Sequence, residues 1–185
     1  MSRVVLVLGG ARSGKSAYAQ DMAQALSQPV LYVAPAIAFD DDMKRRIAAH
    51  RASRPETWRT LESPSELAAP LSDSLKEERV VLIDCLTLWV SNVLMEDPAF
   101  PFEGKFNYAP LQQRLTGESE QVIGVARQRD LTLIAVSNEV GMGVVPPYPS
   151  GHFFRELLGR VNQIWACQAD EVYLMVAGIP MVVKG

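Results

Sequence analysis

Short, unbroken apolar runs recur along the chain and predict buried β-strands. The runs are Val4–Leu8, Val30–Ala34, Val80–Asp84 and Leu131–Val136. Because β-branched residues are frequent in them and apolar residues follow one another without alternation, they are typical of parallel strands covered on both faces. Towards the end of the chain, Glu171–Ala177 and Met181–Lys184 flank Gly178-Ile179-Pro180, which predicts a β-hairpin with a short turn.

The segments between these runs predict helices. They are Lys15–Leu26, Asp40–Ala52, Leu111–Arg129 and Gly151–Gln168, and a further helix begins near Leu86. Three aspartates at the start of the second segment suit a helix N-terminus, and Pro55 ends that helix. One face of the last helix is apolar and is expected to be buried. That face carries Phe154, Leu157, Leu158, Val161, Ile164 and Trp165.

The alternation of strands and helices predicts an α/β fold, with a mostly parallel sheet, helices on both faces and a C-terminal β-hairpin. A chain of 185 residues is expected to form one domain, residues 1–185. Two longer segments, Glu96–Tyr108 and Ser137–Gly151, contain several prolines and are predicted to be loops. Long loops in compact domains often carry function.

Charge and composition exclude several classes of protein. The net charge is −3 and no basic stripe is present, so a nucleic-acid-binding protein is not expected. No apolar run approaches the roughly 20 residues that span a bilayer, and no signal peptide is recognisable. The two cysteines, Cys85 and Cys167, lack metal-site spacing and are expected to be buried thiols. A reducing, cytoplasmic location follows as an expectation.

The first apolar run leads into a phosphate-binding loop. Gly9, Gly14, Lys15 and Ser16 match the pattern Gly-x4-Gly-Lys-Ser in full, with a predicted strand before and a helix after. Gly10, Ala11, Arg12 and Ser13 complete the loop. Its amides form a nest for phosphate oxygens, next to the positive end of the following helix. Lys15 supplies a charge for the outer phosphates, and the Ser16 hydroxyl is a ligand for Mg²⁺.

A second magnesium ligand is expected at Asp84, because it ends an apolar strand as Walker B acids do. The alternative is that Asp84 caps the helix that begins near Leu86. Together these features predict binding of a nucleoside triphosphate with Mg²⁺. The chain lacks the Asn-Lys-x-Asp stretch of guanine-specific switches, since Ser137-Asn138-Glu139 has neither the lysine nor the aspartate. Its size favours a small-molecule kinase.

A histidine lies among arginines in the second predicted helix. Met43, Ile47 and His50 would share one helix face, and Arg46, Arg51 and Arg54 lie nearby. Guanidinium groups suit phosphate oxygens, and a neutral imidazole beside them could attack the α-phosphorus of a nucleotide. From the residues alone, a solvated surface histidine is the more common arrangement for a histidine beside charged side chains.

Five blocks, in order, are "GGARSGKS", "DDDMKRRIAAHRASRPETWRT", "IDCLTLWVSNVL", "VSNEVGMGVVP" and "GRVNQIWACQADEVYLMVAGIP". With them the chain resembles the bifunctional adenosylcobinamide kinase / adenosylcobinamide-phosphate guanylyltransferase family of cobalamin synthesis. The resemblance implies a P-loop fold, phosphorylation of adenosylcobinamide with ATP or GTP, and then transfer of GMP from GTP to the new phosphate. It also implies that His50 carries GMP as a covalent phosphoramidate, and that the protein is a homo-oligomer.

The same resemblance assigns nucleotide contacts outside the P-loop. They are Pro35, Ala36, Ile37, Arg51, Ala52, Ser53, Arg54, Glu62 and Asp84. The chain departs from the family pattern at Pro35–Ile37, where a threonine is usual. It also departs at Pro147, which stands where the family has an acid, and at His152 or Phe153, which stands where the family has an arginine. His152 is expected at a loop or helix start, without a catalytic role.

Two other functions remain open from the sequence. One is a monofunctional P-loop kinase for a small molecule, in which His50 is structural. The other is a nucleotide-gated binding module, in which the P-loop acts as a switch and no chemistry follows.

Overall fold

The computed structural model describes residues 1–37, 54–101 and 107–185, together with Asp41, Arg45, Ala48 and Arg51. The strands are β1 Arg3–Gly9, β2 Val30–Ala34, β3 Arg59–Glu62, β4 Val80–Asp84, β5 Thr132–Asn138, β6 Glu171–Val176 and β7 Ile179–Lys184. The helices are α1 Lys15–Ala25, α2 Ala68–Ser74, α3 Leu86–Met95, α4 Ala109–Gln128 and α5 Pro149–Gln168. The four separate residues, from Asp41 to Arg51, are also helical, as expected for the predicted helix Asp40–Ala52.

All of these strands form one sheet in the order β3-β2-β4-β5-β1-β6-β7. Every neighbouring pair is parallel except β6 and β7, which form the predicted antiparallel hairpin. The helix α1 packs on one face of the sheet, and α3, α4 and α5 pack on the other. The predicted mostly parallel α/β sheet with a C-terminal hairpin is confirmed. Because β5 lies between β1 and β4, the carboxyl ends of these three strands meet at one edge.

The strand β3 and the helix α2 were not predicted, because neither is specified by a pattern in its own stretch of sequence. The strand β3 is polar and mostly exposed, since it forms the edge of the sheet beside β2. The helix α2 has no side-chain cap of its own. Instead, the Glu118 carboxylate of α4 accepts hydrogen bonds from the amides of Leu67 (2.6 Å) and Ala68 (2.9 Å). A distant carboxylate therefore satisfies the start of α2.

The apolar face predicted for the last helix is largely correct. Leu157, Leu158, Val161 and Trp165 are buried, whereas Phe154 and Ile164 are half-buried. The helix α5 begins at Pro149, and Ser137 and Asn138 belong to β5, so the predicted loop Ser137–Gly151 is too long at both ends. His152 lies in the first turn of α5 and is exposed, as expected. The second predicted loop, Glu96–Tyr108, lies partly outside the described residues.

The turn of the C-terminal hairpin begins one residue earlier in the sequence than predicted. Ala177 and Gly178 have positive φ angles of 50° and 84°, and β7 already begins at Ile179. This turn geometry matches the right-handed twist of the flanking strands. Among the described residues, no helix combines the length and the apolar character needed to cross a membrane.

Candidate active site

The P-loop connects β1 to α1. At Gly14 its backbone has a conformation that only glycine adopts easily. Gly14 has a φ of 92°, and its carbonyl accepts the first helical hydrogen bond, from the Tyr18 amide at 3.0 Å. A Cβ atom at Gly14 would lie 3.2 Å from the Cα of Gly178. The glycine is therefore required both by its backbone angle and by the close approach of the hairpin turn.

The loop is held from two sides by backbone hydrogen bonds. The Gly178 amide donates to the Ser13 carbonyl at 3.0 Å, and the Glu139 amide donates to the Gly9 carbonyl at 3.1 Å. The first bond comes from the turn between β6 and β7, and the second comes from the residue that follows β5. The loop is thus preorganised by elements far away in the sequence.

Lys15 lies within the loop and is 7% exposed. Its Nζ donates a hydrogen bond of 2.7 Å to the Gly10 carbonyl, so the side chain reaches back across the loop. Burial lowers the pKa of this amine, and the nearby Cys85 and Asp84 oppose that shift. This placement directs a cation to the position where a nest of amides would hold phosphate.

The carboxylate of Asp84, at the end of β4, is oriented by two hydroxyl groups. Ser16 Oγ donates to Asp84 Oδ1 at 3.2 Å, and the Tyr32 hydroxyl donates to Asp84 Oδ2 at 3.0 Å. The helix α3 starts after Cys85 without a side-chain cap. The carboxylate thus faces the P-loop, and the alternative in which Asp84 caps that helix is not the observed arrangement.

Ser16 and Asp84 fit a magnesium ion by the chemistry of their donor atoms. Both offer oxygen, which Mg²⁺ prefers, and they already lie within hydrogen-bond distance of each other. Within the described part of the chain, no cluster of three or more His, Cys, Asp or Glu side chains forms a metal cage. Few protein ligands are typical where phosphate oxygens and water complete the coordination of Mg²⁺.

A cavity of about 300 Å³ opens in front of the P-loop, at the carboxyl edge of the sheet. Seven of the predicted site residues line it. They are Ala11, Arg12, Lys15, Ser16, Ala36, Arg54 and Asp84. Ligand sites in α/β folds lie at this edge of the sheet. The residues that the sequence assigned to the loop, the β2 end and the β4 end are therefore brought together.

Comparison with known proteins identifies the family. The family described as cobinamide kinase / cobinamide phosphate guanyltransferase matches residues 5–183. The chain belongs to this family. It is 38% identical over 181 residues to the bifunctional adenosylcobalamin biosynthesis protein CobU of Escherichia coli (strain K12), covering 98% of this chain and 99% of that protein. It is 42% identical over 181 residues to the bifunctional adenosylcobalamin biosynthesis protein CobP of Pseudomonas aeruginosa. That alignment covers 97% of this chain and 96% of CobP.

Solved structures of other proteins share the fold of this cobinamide kinase family member. The RadB recombinase aligns with a TM-score of 0.50 at 14% identity, over 93% of this chain and 73% of that one. A protein from Pyrococcus horikoshii OT3 aligns with a TM-score of 0.56 at 9% identity, over 99% of this chain and 86% of that one. At such low identity these likenesses concern the fold alone.

Other site residues predicted from the family resemblance lie away from the cavity lining. Pro35 is buried, and its carbonyl accepts a hydrogen bond of 2.7 Å from Asn92 Nδ2. Ile37 is exposed, and Glu62 is exposed at the end of β3. Arg51 is helical and exposed. His50, Ala52 and Ser53 lie outside the described residues.

The cavity lining includes six residues that the sequence analysis did not assign to the site, among them Asn138 and Tyr32. Asn138 ends β5 between the P-loop and Asp84, and was considered only as part of a guanine motif. Its backbone is held firmly, because its amide donates to Thr87 Oγ1 at 2.7 Å and its carbonyl accepts from Asn162 Nδ2 at 3.0 Å. The signal was available, since a polar residue at the carboxyl end of a central parallel strand lies at the ligand edge.

The sequence analysis did not assign Tyr32 to the site, because this residue lies inside the apolar run of β2. Its ring is 3% exposed, and the guanidinium carbon of Arg54 lies 3.8 Å from the ring centroid. Burial, and then the neighbouring Asp84 carboxylate, raise the pKa of the hydroxyl far above its ordinary value. The hydroxyl therefore remains a hydrogen-bond donor.

The expectation of two buried thiols is wrong for Cys167 and only partly right for Cys85. Both cysteines are free; Cys167 is exposed near the end of α5, and Cys85 is half-buried in the wall of the cavity. Burial, and then the Asp84 carboxylate, raise the pKa of the Cys85 thiol to about 11. Cys167 falls on the solvent side of α5, opposite the face that packs in the core.

These positions predict different reactivities towards a thiol reagent. We expect Cys167 to react at least about tenfold faster than Cys85, because only the exposed thiol is freely accessible. The variants Cys167→Ser and Cys85→Ser assign the two phases of a dithionitrobenzoate time course. GTP is expected to slow only the phase that remains in Cys167→Ser, because Cys85 lines the cavity. A GTP effect on the phase that remains in Cys85→Ser would contradict this placement.

Proposed function

We propose that this chain catalyses both reactions named in its family's description. It phosphorylates adenosylcobinamide with a nucleoside triphosphate, and then transfers GMP from GTP to the phosphate to give adenosylcobinamide-GDP and pyrophosphate. The observation that carries the proposal is the convergence of Lys15, Ser16 and Asp84 on one cavity, in a chain whose family match covers residues 5–183.

In the kinase step, the P-loop binds the triphosphate and places its γ-phosphorus for attack. The corrinoid's hydroxyl oxygen forms the new bond to that phosphorus and loses its proton to water. The bond between the γ-phosphorus and the β-phosphate oxygen breaks, so that a nucleoside diphosphate leaves. Lys15 and the loop amides stabilise the charge on the phosphate oxygens. Because little covalent chemistry is asked of the protein, positioning by the preorganised loop supplies most of the acceleration.

Ser16 and Asp84 are the residues that would hold Mg²⁺. When bound, the ion neutralises charge on the phosphate oxygens. The protein's part is the orientation of the Asp84 carboxylate by Ser16 and Tyr32. A fixed ligand avoids reorganisation during the reaction.

In the guanylyl-transfer step, we propose that an imidazole nitrogen of His50 attacks the α-phosphorus of GTP. A nitrogen–phosphorus bond forms, and the bond between the α-phosphorus and the bridging oxygen breaks, which releases pyrophosphate. A phosphate oxygen of cobinamide phosphate then attacks the same phosphorus and frees the imidazole. Covalent catalysis divides one difficult displacement into two. Arg54, at the cavity, supplies positive charge for the phosphates.

Product analysis with the wild-type protein tests this function. With adenosylcobinamide, Mg²⁺ and ATP, we expect phosphorylated corrinoid and ADP in equal amounts. On addition of GTP, we expect corrinoid-GDP and pyrophosphate in equal amounts. Diphosphate without any pyrophosphate would favour the monofunctional kinase. Tight nucleotide binding with no corrinoid product would favour the nucleotide-gated module. The homo-oligomer remains a prediction, which analytical ultracentrifugation tests.

A further inference from the structure

One tyrosine contacts both parts of the site that the two reactions require. Tyr32 on β2 pairs with Leu82 on β4, so Asp84 is its diagonal neighbour two residues further along the same face of the sheet. A long aromatic side chain spans such a diagonal, and the Tyr32 hydroxyl reaches Asp84 Oδ2 at 3.0 Å. The same ring lies under the Arg54 guanidinium, whose carbon is 3.8 Å from the ring centroid.

We propose that Tyr32 is a positioning residue that links the two reaction centres: its hydroxyl orients Asp84 for Mg²⁺, and its ring orients Arg54 beside the guanylyl-transfer segment. The assignment of the two centres rests on the proposed function. The contacts themselves are independent of the substrate. Nothing in the apolar pattern of β2 requires a hydroxyl at this position, since phenylalanine would fill the same volume.

The hydroxyl determines which carboxylate oxygen is available. Because Tyr32 binds Oδ2, the other oxygen, Oδ1, faces Ser16 Oγ at 3.2 Å. A carboxylate without that bond could rotate about its last torsion, which has a broad energy profile. Hydrogen bonds to charged groups are among the stronger ones in proteins. Removal of the hydroxyl should therefore weaken the magnesium position while leaving the P-loop amides in place.

The ring limits the orientation of Arg54. A guanidinium stacked on an aromatic face is attracted by the ring's quadrupole. Thr60 supports the same side chain from β3, where its Oγ1 lies 3.4 Å from Arg54 Nη1. Arg54 follows His50 by four residues in the sequence, so the ring of Tyr32 orients an arginine that is close in sequence to the proposed nucleophile.

The variant Tyr32→Phe tests the hydroxyl separately from the ring. The matched control is Tyr173→Phe, because the Tyr173 hydroxyl also donates to a carboxylate, Glu171 Oε2 at 2.6 Å, but on β6 and away from the cavity lining. Binding of a fluorescent GTP analogue is measured with and without Mg²⁺, and needs no turnover. We expect Tyr32→Phe to reduce the gain in affinity caused by Mg²⁺ about tenfold, and to leave Mg²⁺-free binding unchanged within twofold.

Kinase kinetics supply the second measurement. We expect the Mg²⁺ concentration for half-maximal rate to rise about tenfold in Tyr32→Phe, and kcat to recover at high Mg²⁺. Tyr173→Phe should match the wild type in both assays. An unchanged Mg²⁺ dependence in Tyr32→Phe would overturn the role of the hydroxyl. An equal loss of affinity with and without Mg²⁺ would also overturn it, because that result indicates a general packing defect.

The variant Tyr32→Leu removes the ring as well. We expect the rate of covalent labelling by GTP at saturating Mg²⁺ to fall several-fold below that of Tyr32→Phe, because the stacking on Arg54 is lost. Arg54→Lys keeps the positive charge but cannot stack a planar group on the ring, and it should show the same loss of labelling rate. This variant can therefore be tested even if Tyr32→Leu does not fold.

Labelling that is equal to wild type in Arg54→Lys would overturn the link to guanylyl transfer. If the wild-type protein binds GTP in a Mg²⁺-dependent way but forms no corrinoid product, the proposed function fails, whereas the binding assay still decides the role of the hydroxyl.

Discussion

Replacement of His50 by alanine is expected to abolish covalent labelling of the protein by GTP that carries ³²P at the α-phosphate. An imidazole is required as nucleophile in the proposed guanylyl transfer, and alanine offers no atom that can take its place. Transfer of GMP to cobinamide phosphate should fall at least about 1000-fold, the scale on which loss of a covalent nucleophile acts. The phosphoramidate in the wild-type protein should be lost in acid and survive base, as read on a denaturing gel.

The kinase activity of His50→Ala is expected to stay within a few-fold of wild type. Lys15 begins α1 and Asp84 ends β4, and both are distant from His50 in the sequence. His152→Ala is the matched control, because His152 is the other of the two histidines in the chain and lies exposed in the first turn of α5. Label that persists in His50→Ala but disappears in His152→Ala would contradict the assignment.

The central part of the fold could be predicted from the sequence because its signals are local. The strands β2 and β4 have the predicted bounds, since each is a continuous apolar run between polar segments. The strand β3 could not be found in this way. It is a polar edge strand that is specified by its partner β2, and an isolated sequence window carries no information about a partner.

In the candidate site, too, some residues are marked by a local sequence pattern and others only by the pairing of strands. The P-loop residues from Gly9 to Ser16 are contiguous, and the loop's conformation follows from glycines at fixed spacing, so a motif describes them. Tyr32 and Asn138 contribute through the topology, because β2 and β5 both flank β4 and end at the same edge. A hydroxyl inside an apolar run becomes informative only when the pairing of β2 with β4 places it diagonal to Asp84.

The hairpin at the end of the chain illustrates a longer-range dependence. Its turn contacts the P-loop at Ser13 and Gly14, more than 160 residues earlier in the sequence. The sequence predicts both the turn and the loop, but not that one supports the other. That contact follows from the placement of β6 beside β1 in the sheet.

Replacement of Lys15 by methionine is expected to lower kcat/KM of the kinase step by about 100-fold to 1000-fold, the scale found when one preorganised charge-stabilising donor is removed. Methionine keeps an unbranched stem of similar length, so it fills the same space in the loop without the cation. Thermal unfolding of the free protein should change little, because burial already lowers the pKa of the Lys15 amine and so opposes its charged form in the folded state.

A second lysine makes this prediction specific. Lys184 Nζ also donates to backbone carbonyls, those of Ala166 (3.1 Å) and Cys167 (2.9 Å), but it lies on β7 and is absent from the cavity lining. Lys184→Met should therefore leave kcat/KM within about twofold of wild type. Measurement of initial rates against ATP concentration for the two variants separates the cation's role from the loss of a hydrogen bond to the backbone. If both variants lose activity equally, or if Lys15→Met keeps the wild-type rate, the buried cation in the P-loop does not serve the phosphates, and the kinase mechanism proposed for this cavity is wrong.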